Sequence, residues 1–127
     1  MKEISTDRAP QAIGPYSQAI DAGDKIFTSG VIPVDPATGE TVGETAQEQA
    51  RQVFTNLKAL LSDAGSGIDK VIKTVVFIKN MDDFAKINEV YAEFFSKPYP
   101  ARSCVEVARL PKDVLIEVEA IAEKKSK

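Results

Sequence analysis

The stretch VIKTVVFIK, Val71 to Lys79, has the length of a strand and carries apolar, mostly β-branched side chains at both odd and even positions. A strand with one face in water alternates apolar and polar residues, whereas a strand covered on both faces does not need to. The stretch therefore predicts a central strand of a sheet, with other parts of the protein packed on each of its faces.

An amphipathic helix is predicted on each side of this strand along the chain. The first begins at Thr45 and Glu48, which form a T-x-x-E capping box, and ends at Gly65. The second takes Asp82 or Asp83 as its N-cap. Helical spacing gives each helix one apolar side. These sides comprise Ala46, Ala50, Val53, Phe54, Leu57, Leu60, Leu61 and Ala64 in the first helix, and Phe84, Ile87, Tyr91, Phe94 and Phe95 in the second.

Further strands are predicted near both ends of the chain. Residues 16–21 and 25–32 form an N-terminal pair joined by a turn at Ala22-Gly23-Asp24. Residues 103–109 and 114–123 flank the short turn LPKD and predict an antiparallel hairpin. Together with the helices, this order predicts one α+β domain, with one mixed sheet and both helices on one face.

The expected hairpin register predicts which side chains are buried. Placing Arg109 opposite Val114 gives an apolar face against the helices, made of Val105, Val107, Ile116, Val118 and Ala120. The other face then carries Arg102, Cys104, Glu106, Leu115, Glu117, Glu119 and Ile121. Carboxylates alternate there with apolar groups, which suits neither open water nor a dry core. A subunit interface with wet clefts suits both, so the sequence predicts a homo-oligomer.

The composition excludes several kinds of chemistry. The 127 residues contain no histidine and one cysteine, which removes histidine-based triads, Cys–His pairs and an internal disulfide. Neither of the phosphate-binding patterns GxGxxG and GxxxxGK[ST] occurs. A net charge of −3 with scattered basic residues predicts no nucleic-acid surface. With no membrane-spanning run and no signal-peptide core, we expect no membrane association and a cytoplasmic location.

Two charged residues are candidates for catalysis. Arg102 follows Pro100-Ala101 at the mouth of a strand, and its planar guanidinium suits two parallel hydrogen bonds to a carboxylate. Spacing alone favours the alternative, an ion pair across the sheet with a residue such as Glu119. Glu117 could orient a water molecule or relay its proton, and it could equally be a salt-bridged glutamate in an interface.

Four further positions have both a functional and a structural interpretation. Cys104 lacks a histidine to activate it, so a small half-buried packing residue is favoured over a nucleophile. Tyr16, in GPYS, is either a pocket hydroxyl or a partly buried core tyrosine. Asn88, within the apolar side of the second helix, either bonds to backbone or water or points a donor into a pocket. Gly30, in TSG, indicates a bulge or a close backbone approach.

Several motifs together resemble the RidA/YjgF family, the reactive intermediate deaminases. The most specific is PARSCVEVARLPKDVLIEVEAIA, residues 100–122. The resemblance continues through AIGPYSQAI, IFTSGVIPVDPATGE and VIKTVVFIKNMDDFAKINEVYAEFF, and so covers nearly the whole chain. It implies one domain over residues 1–127 with a chorismate-mutase-like fold. It also implies a homotrimer in which the sheets form a central barrel, with clefts between neighbouring subunits.

The same resemblance implies an activity. Such proteins hydrolyse reactive 2-imino and 2-enamino acids, such as 2-iminobutanoate and 2-iminopropanoate, to 2-keto acids and ammonia, a form of metabolite damage control. They need no metal or organic cofactor. The carboxylate-binding arginine of the family falls on Arg102 and the water-associated glutamate on Glu117. The family's pocket residues fall on Tyr16, Ser29, Gly30, Asn88 and Cys104.

Two other functions remain compatible with these features. A trimer could bind small carboxylates in the same cleft without turnover and act as a regulatory protein. The resemblance also extends to holdase chaperones and to RNA-cleaving translation inhibitors. The net charge of −3 and the absence of histidine count against an RNA-cleaving role.

Overall fold

The computed structural model describes residues 1–125, which form one mixed sheet and two α-helices. In chain order the elements are β1 (Lys2–Ile4), β2 (Ala19–Asp21), β3 (Lys25–Thr28), α1 (Ala46–Asp63), β4 (Val71–Ile78), α2 (Phe84–Phe94), β5 (Ala101–Glu106) and β6 (Ile116–Glu123). The strand order in the sheet is β1-β2-β3-β6-β4-β5. Only β4 and β5 run parallel, and the other neighbours are antiparallel. The predicted α+β class is confirmed.

Strand β4 lies inside the sheet, between β6 and β5, as its apolar sequence predicts. Thr74, Val76 and Ile78 are buried on the face that the helices cover. Val75 and Phe77 point to the other face and are half-buried. The sequence predicts that both faces of β4 are covered. Within a single chain, only the face under the helices is fully covered.

Helix α1 begins at the predicted capping box. The Glu48 backbone N–H donates to Thr45 Oγ1 at 3.2 Å, and the Thr45 N–H donates to Glu48 Oε1 at 3.1 Å. The two residues thus satisfy backbone donors that a helix N-terminus leaves without partners. The helix ends at Asp63, and Gly65 follows with φ +83°, a conformation that favours glycine.

Helix α2 begins at Phe84, and its N-cap is Asp83, one of the two residues that the sequence predicts. Residues 81–83 form a short 3-10 turn, in which the Asn80 side chain accepts from the Asp82 N–H at 2.9 Å. Asp83 occupies the N-cap of α2 without a side-chain hydrogen bond. The Glu106 carboxylate on β5 accepts from the Met81 N–H at 2.8 Å and ties this turn to the sheet. Within residues 1–125, no helix combines the length and apolarity needed to cross a membrane.

The predicted hairpin of the last two strands is wrong. Strand β5 pairs in parallel with one edge of β4, and β6 pairs antiparallel with its other edge, so β4 separates them. The segment from β4 through α2 to β5 is a β-α-β unit, in which the helix returns the chain to the same end of the sheet. The turn at Pro111–Asp113 lies between strands that are not neighbours.

This pairing also reverses the faces predicted for β5. Paired residues of neighbouring strands share a face, so Arg102 and Cys104, which pair with Thr74 and Val76, point to the helix side. Val105, predicted in the core, lies on the open face and is 43% exposed. The core residues predicted on β6, which are Ile116, Val118 and Ala120, are buried as expected, whereas Val107 lies beyond the end of β5 and is half-buried.

The open face of the sheet mixes charged and apolar side chains, as predicted, although its members differ. One row runs from Val105 through Phe77 to Glu117. Phe27 on β3 is exposed by 43%, the same fraction as Val105. Leu115, which was expected on this face, packs against the core instead.

Candidate functional site

The structure divides the residues that the sequence singles out into two groups. We call them the arginine half, which comprises Arg102, Asn88 and Cys104 with Tyr91 and Phe84, and the glutamate half, which comprises Glu117, Gly30, Ser29 and Tyr16. Arg102, Asn88 and Tyr91 line a cavity of about 400 Å³. All four members of the glutamate half line a separate cavity of about 500 Å³.

In the arginine half, the guanidinium of Arg102 lies over two aromatic rings and beside an amide group. Its Cζ is 4.8 Å from the centroid of the Tyr91 ring and 5.4 Å from that of Phe84. Its Nη1 donates to Asn88 Oδ1 at 2.7 Å. Among residues 1–125, no carboxylate forms a salt bridge with Arg102, so the ion pair considered with Glu119 is not formed.

Helix α2 supplies all three partners of this guanidinium. Phe84, Asn88 and Tyr91 are separated by four and three residues, which places them on the same side of the helix. The carbonyl oxygen of Asn88 accepts from Arg102, and Asn88 lines the cavity of the arginine half. Sequence reasoning missed the contacts of Tyr91 and Phe84 with Arg102, although their helical spacing from Asn88 was the available signal.

Cys104 lies beside this group as a half-buried residue on the helix side of β5. Burial raises the pKa of its thiol, and the positive charge of Arg102 opposes that increase only in part. A thiol with a raised pKa is a poor nucleophile at neutral pH, because the thiolate is the reactive form. The surroundings agree with the packing interpretation of Cys104.

In the glutamate half, Gly30 allows the Glu117 carboxyl to lie close to the backbone at position 30. A Cβ at position 30 would lie 1.8 Å from Glu117 Oε2, which is far too short for a non-bonded contact. Val31 and Val118 exchange two backbone hydrogen bonds of 2.7 and 3.1 Å and hold the segment against β6. Of the two interpretations of Gly30, the close approach is the one that the structure contains.

The Glu117 carboxyl has a raised pKa. Burial is the main cause, and the negative charge of Glu119 on the same strand adds to it. Like Arg102, Glu117 has no salt-bridge partner among residues 1–125. A carboxyl group of this kind exchanges protons closer to neutral pH than an ordinary glutamate does, which suits a general acid or base.

Ser29 and Tyr16 complete the wall of this cavity. The Ser29 hydroxyl donates to the Ser17 carbonyl at 2.6 Å, and its N–H donates to the Gln18 carbonyl at 2.9 Å. Tyr16 is 50% exposed, and its hydroxyl accepts from the Ile13 N–H at 3.3 Å. The interpretation of Tyr16 as a core tyrosine is therefore wrong.

The two halves lie on opposite faces of the sheet. Arg102 shares the helix-covered face with Thr74, whereas Glu117 pairs with Phe77 on the open face. The predicted register brought Arg102 and Glu117 to one face, with Glu106 near Glu117 and Cys104 near Glu119, and it is wrong because β4 intervenes. One chain does not bring Arg102 and Glu117 into one cavity.

Comparison with known proteins agrees with the motifs. A family model described as Endoribonuclease L-PSP matches residues 6–124. A RutC family protein of Pyrococcus horikoshii is 59% identical over 125 residues, which cover 98% of this chain and 99% of the relative. A 2-iminobutanoate/2-iminopropanoate deaminase of Escherichia coli K12 is 54% identical over 124 residues, which cover 95% and 96%.

A solved structure gives the same result for the fold. The crystal structure of Escherichia coli TdcF with bound serine matches with a TM-score of 0.92 at 53% identity, covering 98% of this chain and 100% of that one. The region that the family model matches contains every residue of both halves of the candidate site. The chain therefore belongs to the RidA/YjgF family, whose model carries the description Endoribonuclease L-PSP.

Proposed function

We propose that the protein is a cofactor-free hydrolytic deaminase that converts 2-imino and 2-enamino acids, such as 2-iminobutanoate and 2-iminopropanoate, to 2-keto acids and ammonia. The observation that carries the proposal is the guanidinium of Arg102, which is oriented by Asn88 and two rings but has no carboxylate partner among residues 1–125. Relatives 54% identical that carry the deaminase name support the choice of substrate.

Arg102 binds the substrate through its carboxylate. A guanidinium has five N–H donors in one plane, and Asn88 uses one of them. The remaining donors suit two parallel hydrogen bonds to a carboxylate. Such binding fixes the direction in which the neighbouring imine carbon faces, which converts a random encounter with water into an oriented one.

The proposal requires two copies of the chain, because a substrate bound at Arg102 is separated from Glu117 of the same chain by the sheet. The arginine half of one subunit faces the glutamate half of its neighbour in a homotrimer, with the sheets forming a central barrel. Exposed apolar groups on the open face, such as Phe27 and Val105 at 43% each, support burial of that face between subunits.

The chemistry follows from these groups. A water molecule forms a bond from its oxygen to the imine carbon, the C=N π electrons move to nitrogen, and Glu117 takes the proton of the water. Glu117 then returns that proton to the nitrogen of the carbinolamine. The C–N bond then breaks as the hydroxyl proton passes through Glu117 to the departing nitrogen, so that ammonia leaves and the hydroxyl oxygen becomes the keto oxygen. No covalent bond to the protein is needed, in agreement with the raised pKa of the Cys104 thiol.

The other pocket residues shape the space around the reacting carbon. Gly30 leaves room for the Glu117 carboxyl, and Ser29 holds the Gly30 segment through its bonds to residues 17 and 18. Tyr16 presents an exposed ring and hydroxyl at the mouth of the cavity. Cys104 packs beside Arg102 on the helix side.

A location in the cytoplasm is part of the proposal. The substrates are released by pyridoxal-phosphate enzymes such as threonine dehydratase, so the deaminase must act where those enzymes act. The single free cysteine fits a reducing compartment.

A second candidate function is carboxylate binding without turnover. The crystal structure of Escherichia coli TdcF contains serine, which has a carboxylate but no imine group. In a regulatory protein of this kind, Arg102 would bind the ligand in the same way and Glu117 would have no chemical role.

A coupled assay tests the proposal. Threonine dehydratase generates 2-iminobutanoate in the presence of an amine scavenger, and formation of 2-ketobutanoate is followed with and without the protein. We expect the wild type to accelerate this step. Loss of the charge-assisted bonds in Arg102→Ala should reduce the acceleration about 10- to 150-fold, equivalent to about 1.5–3 kcal/mol.

The matched control is Arg51→Ala. Arg51 forms an exposed pair with Glu93 at 2.8 Å, so its loss removes an arginine without touching either half. If the wild type gives no acceleration, the deaminase proposal fails, and calorimetric titration with serine then tests the binding function. Equal activity of folded Arg102→Ala and wild type would refute the role of Arg102.

A further inference from the structure

We propose that Tyr91 and Thr74 are positioning residues that set the orientation of the Arg102 guanidinium. The inference rests on the carboxylate-binding role of Arg102 given above and extends it to two side chains that support the guanidinium. Tyr91 acts through its ring, which supports the guanidinium, and Thr74 acts through its hydroxyl, which holds that ring.

The ring of Tyr91 is the nearer of the two aromatic surfaces next to Arg102. The guanidinium carbon is 4.8 Å from its centroid, compared with 5.4 Å for Phe84. Attraction between a cation and the face of a ring favours the flat arrangement. A guanidinium lying flat on a ring directs its N–H groups sideways, into the plane where a carboxylate binds.

Tyr91 itself has little freedom to move. It is 6% exposed, and its ring packs against Phe95 and Phe54 at centroid distances of 4.4 and 5.5 Å. Its hydroxyl is 2.8 Å from Thr74 Oγ1, and Thr74 is completely buried. Burial raises the pKa of this phenol, so Tyr91 stays neutral beside the cation.

The hydroxyl pair joins the elements that carry Arg102 and its support. Thr74 on β4 is the direct pairing partner of Arg102 on β5, and Tyr91 comes from α2. The bond between Thr74 and Tyr91 therefore fixes the ring at the position on the sheet where the arginine side chain leaves its strand. Asn88, one helical turn before Tyr91, holds Nη1 from the same helix.

Stability alone does not require this polar pair. Replacing both partners of a buried hydrogen bond with apolar groups of the same shape is often nearly neutral for folding. Valine and phenylalanine would fill the positions of Thr74 and Tyr91 without the two hydroxyl groups. These substitutions remove the hydrogen bond between residues 74 and 91, which selects one position of the ring. A positioning role therefore predicts a loss of ligand binding with little loss of stability.

The test compares two aromatic residues of one cluster. Tyr91→Leu removes the ring below Arg102, and Phe95→Leu removes a neighbouring buried ring that does not contact it. We expect Tyr91→Leu to weaken binding of 2-ketobutanoate, measured by NMR titration, about 5- to 30-fold and to raise KM similarly. Phe95→Leu should change binding less than about 2-fold, although it also lowers thermal stability.

Two further variants separate the ring from its hydroxyl. Tyr91→Phe keeps the ring and should recover most of the binding lost in Tyr91→Leu. The double variant Thr74→Val/Tyr91→Phe removes both hydroxyl groups and leaves none without a partner. It should unfold near the wild-type temperature but bind 2-ketobutanoate about 2- to 5-fold less tightly, the size expected for one hydrogen bond. Binding equal to that of the wild type would overturn the role of Thr74.

A readout that needs no ligand separates this inference from the proposed function. The Nε–H proton of Arg102 lies near aromatic rings, and its ¹H–¹⁵N signal should be displaced in the wild type and in Phe95→Leu. It should move toward the position of a free arginine in Tyr91→Leu. An unchanged signal in Tyr91→Leu, or equal loss of binding in both leucine variants, overturns the inference. If the wild type neither binds nor turns over the ligand, the proposed function fails, while this signal still decides the positioning of Arg102.

Discussion

The arginine half and the glutamate half hold their charged groups in opposite ways. Arg102 is surrounded by an amide and two rings that orient it. Glu117 lies against a glycine, and burial together with Glu119 makes its negative charge costly. Neither residue has a salt-bridge partner of opposite charge within residues 1–125. Each half thus supplies the group that the other lacks, which favours a site built where two subunits meet.

The largest expected effect follows from the bare backbone at Gly30. A methyl group in Gly30→Ala would overlap the Glu117 carboxyl, so this carboxyl must move by an ångström or more. We expect kcat to fall about 100-fold, because displacement of a catalytic group on this scale costs rates of that order. Steady-state kinetics in the coupled assay measure the loss.

A double-mutant cycle shows whether the effect of Gly30→Ala acts through Glu117. In the Glu117→Ala background there is no carboxyl to displace, so adding Gly30→Ala should change the rate little further. Two full and additive losses would mean that Gly30 affects the rate for a reason other than the position of Glu117. The glutamate half would then not depend on the space that Gly30 leaves.

A mixing experiment tests whether the halves come from different subunits. Arg102→Ala and Glu117→Ala are each expected to be nearly inactive. Mixed oligomers formed by co-refolding at equal amounts join an intact arginine half to an intact glutamate half at about one interface in four. Activity should therefore rise to about a quarter of the wild-type value. Activity no higher than the average of the separate variants would contradict a shared site.

A smaller effect is expected at Cys104. It separates the binding role proposed for Arg102 from the packing role of its neighbour in the arginine half. Burial holds the pKa of this thiol above its ordinary value, so we expect the group not to act as a nucleophile. Cys104→Ser should reduce kcat/KM by about 3-fold or less, whereas loss of a true nucleophile removes nearly all activity. Labelling with iodoacetamide provides the control, because a neutral thiol should react slowly at pH 7.

The smallest effect concerns the acidity of Glu117. The charge of Glu119 helps to raise the Glu117 pKa, so Glu119→Gln should lower that pKa while burial keeps it above the ordinary value of 4.5. A base acts in its ionised form, and the rising limb of the pH–rate profile should move to lower pH. Titration followed by the ¹³C signal of the Glu117 carboxyl measures the shift directly. The control is Glu93→Gln, at the exposed ion pair between α1 and α2, which should leave the Glu117 pKa unchanged.

Local features of the fold could be predicted from sequence because each depends on neighbours along the chain. The capping box of Thr45 and Glu48 begins α1 as expected, and the turn at residues 22–24 joins β2 and β3. The apolar run of β4 correctly predicts a central strand. In each case, the interactions that determine the structure lie within a few residues of one another.

The pairing of β5 could not be predicted in the same way. A short turn between two apolar stretches favours a hairpin, but the β-α-β connection through α2 places β5 on the other edge of β4. Alternation alone did not choose between the faces, because Val105 is apolar and yet lies on the open face. The error carried over to the site, where Arg102 and Glu117 were expected on one face.

Residue type and family resemblance identified the candidate site residues. They did not identify the residues that hold Arg102 in place. Arginine and glutamate attract attention because they are charged, whereas the contacts of Tyr91 with Arg102 and Thr74 depend on how α2 packs on the sheet. Tyr91 belonged to the predicted apolar side of the helix. Its spacing from Asn88 indicates that both lie on the same side, but it does not distinguish a core ring from one that supports a cation.

The β-α-β unit has a consequence for how such proteins can diversify. Thr74, Asn88, Tyr91 and Arg102 all fall within β4, α2 and β5, one unbroken segment of the chain. The glutamate half instead combines residues 16–30 with Glu117 near the other end. Under the proposed function, exchange of the segment 71–106 between relatives would transfer the carboxylate-binding residues together and leave the proton-transfer residue of the recipient in place. The proposed function thus expects ligand recognition and acid–base chemistry to be exchangeable separately between relatives.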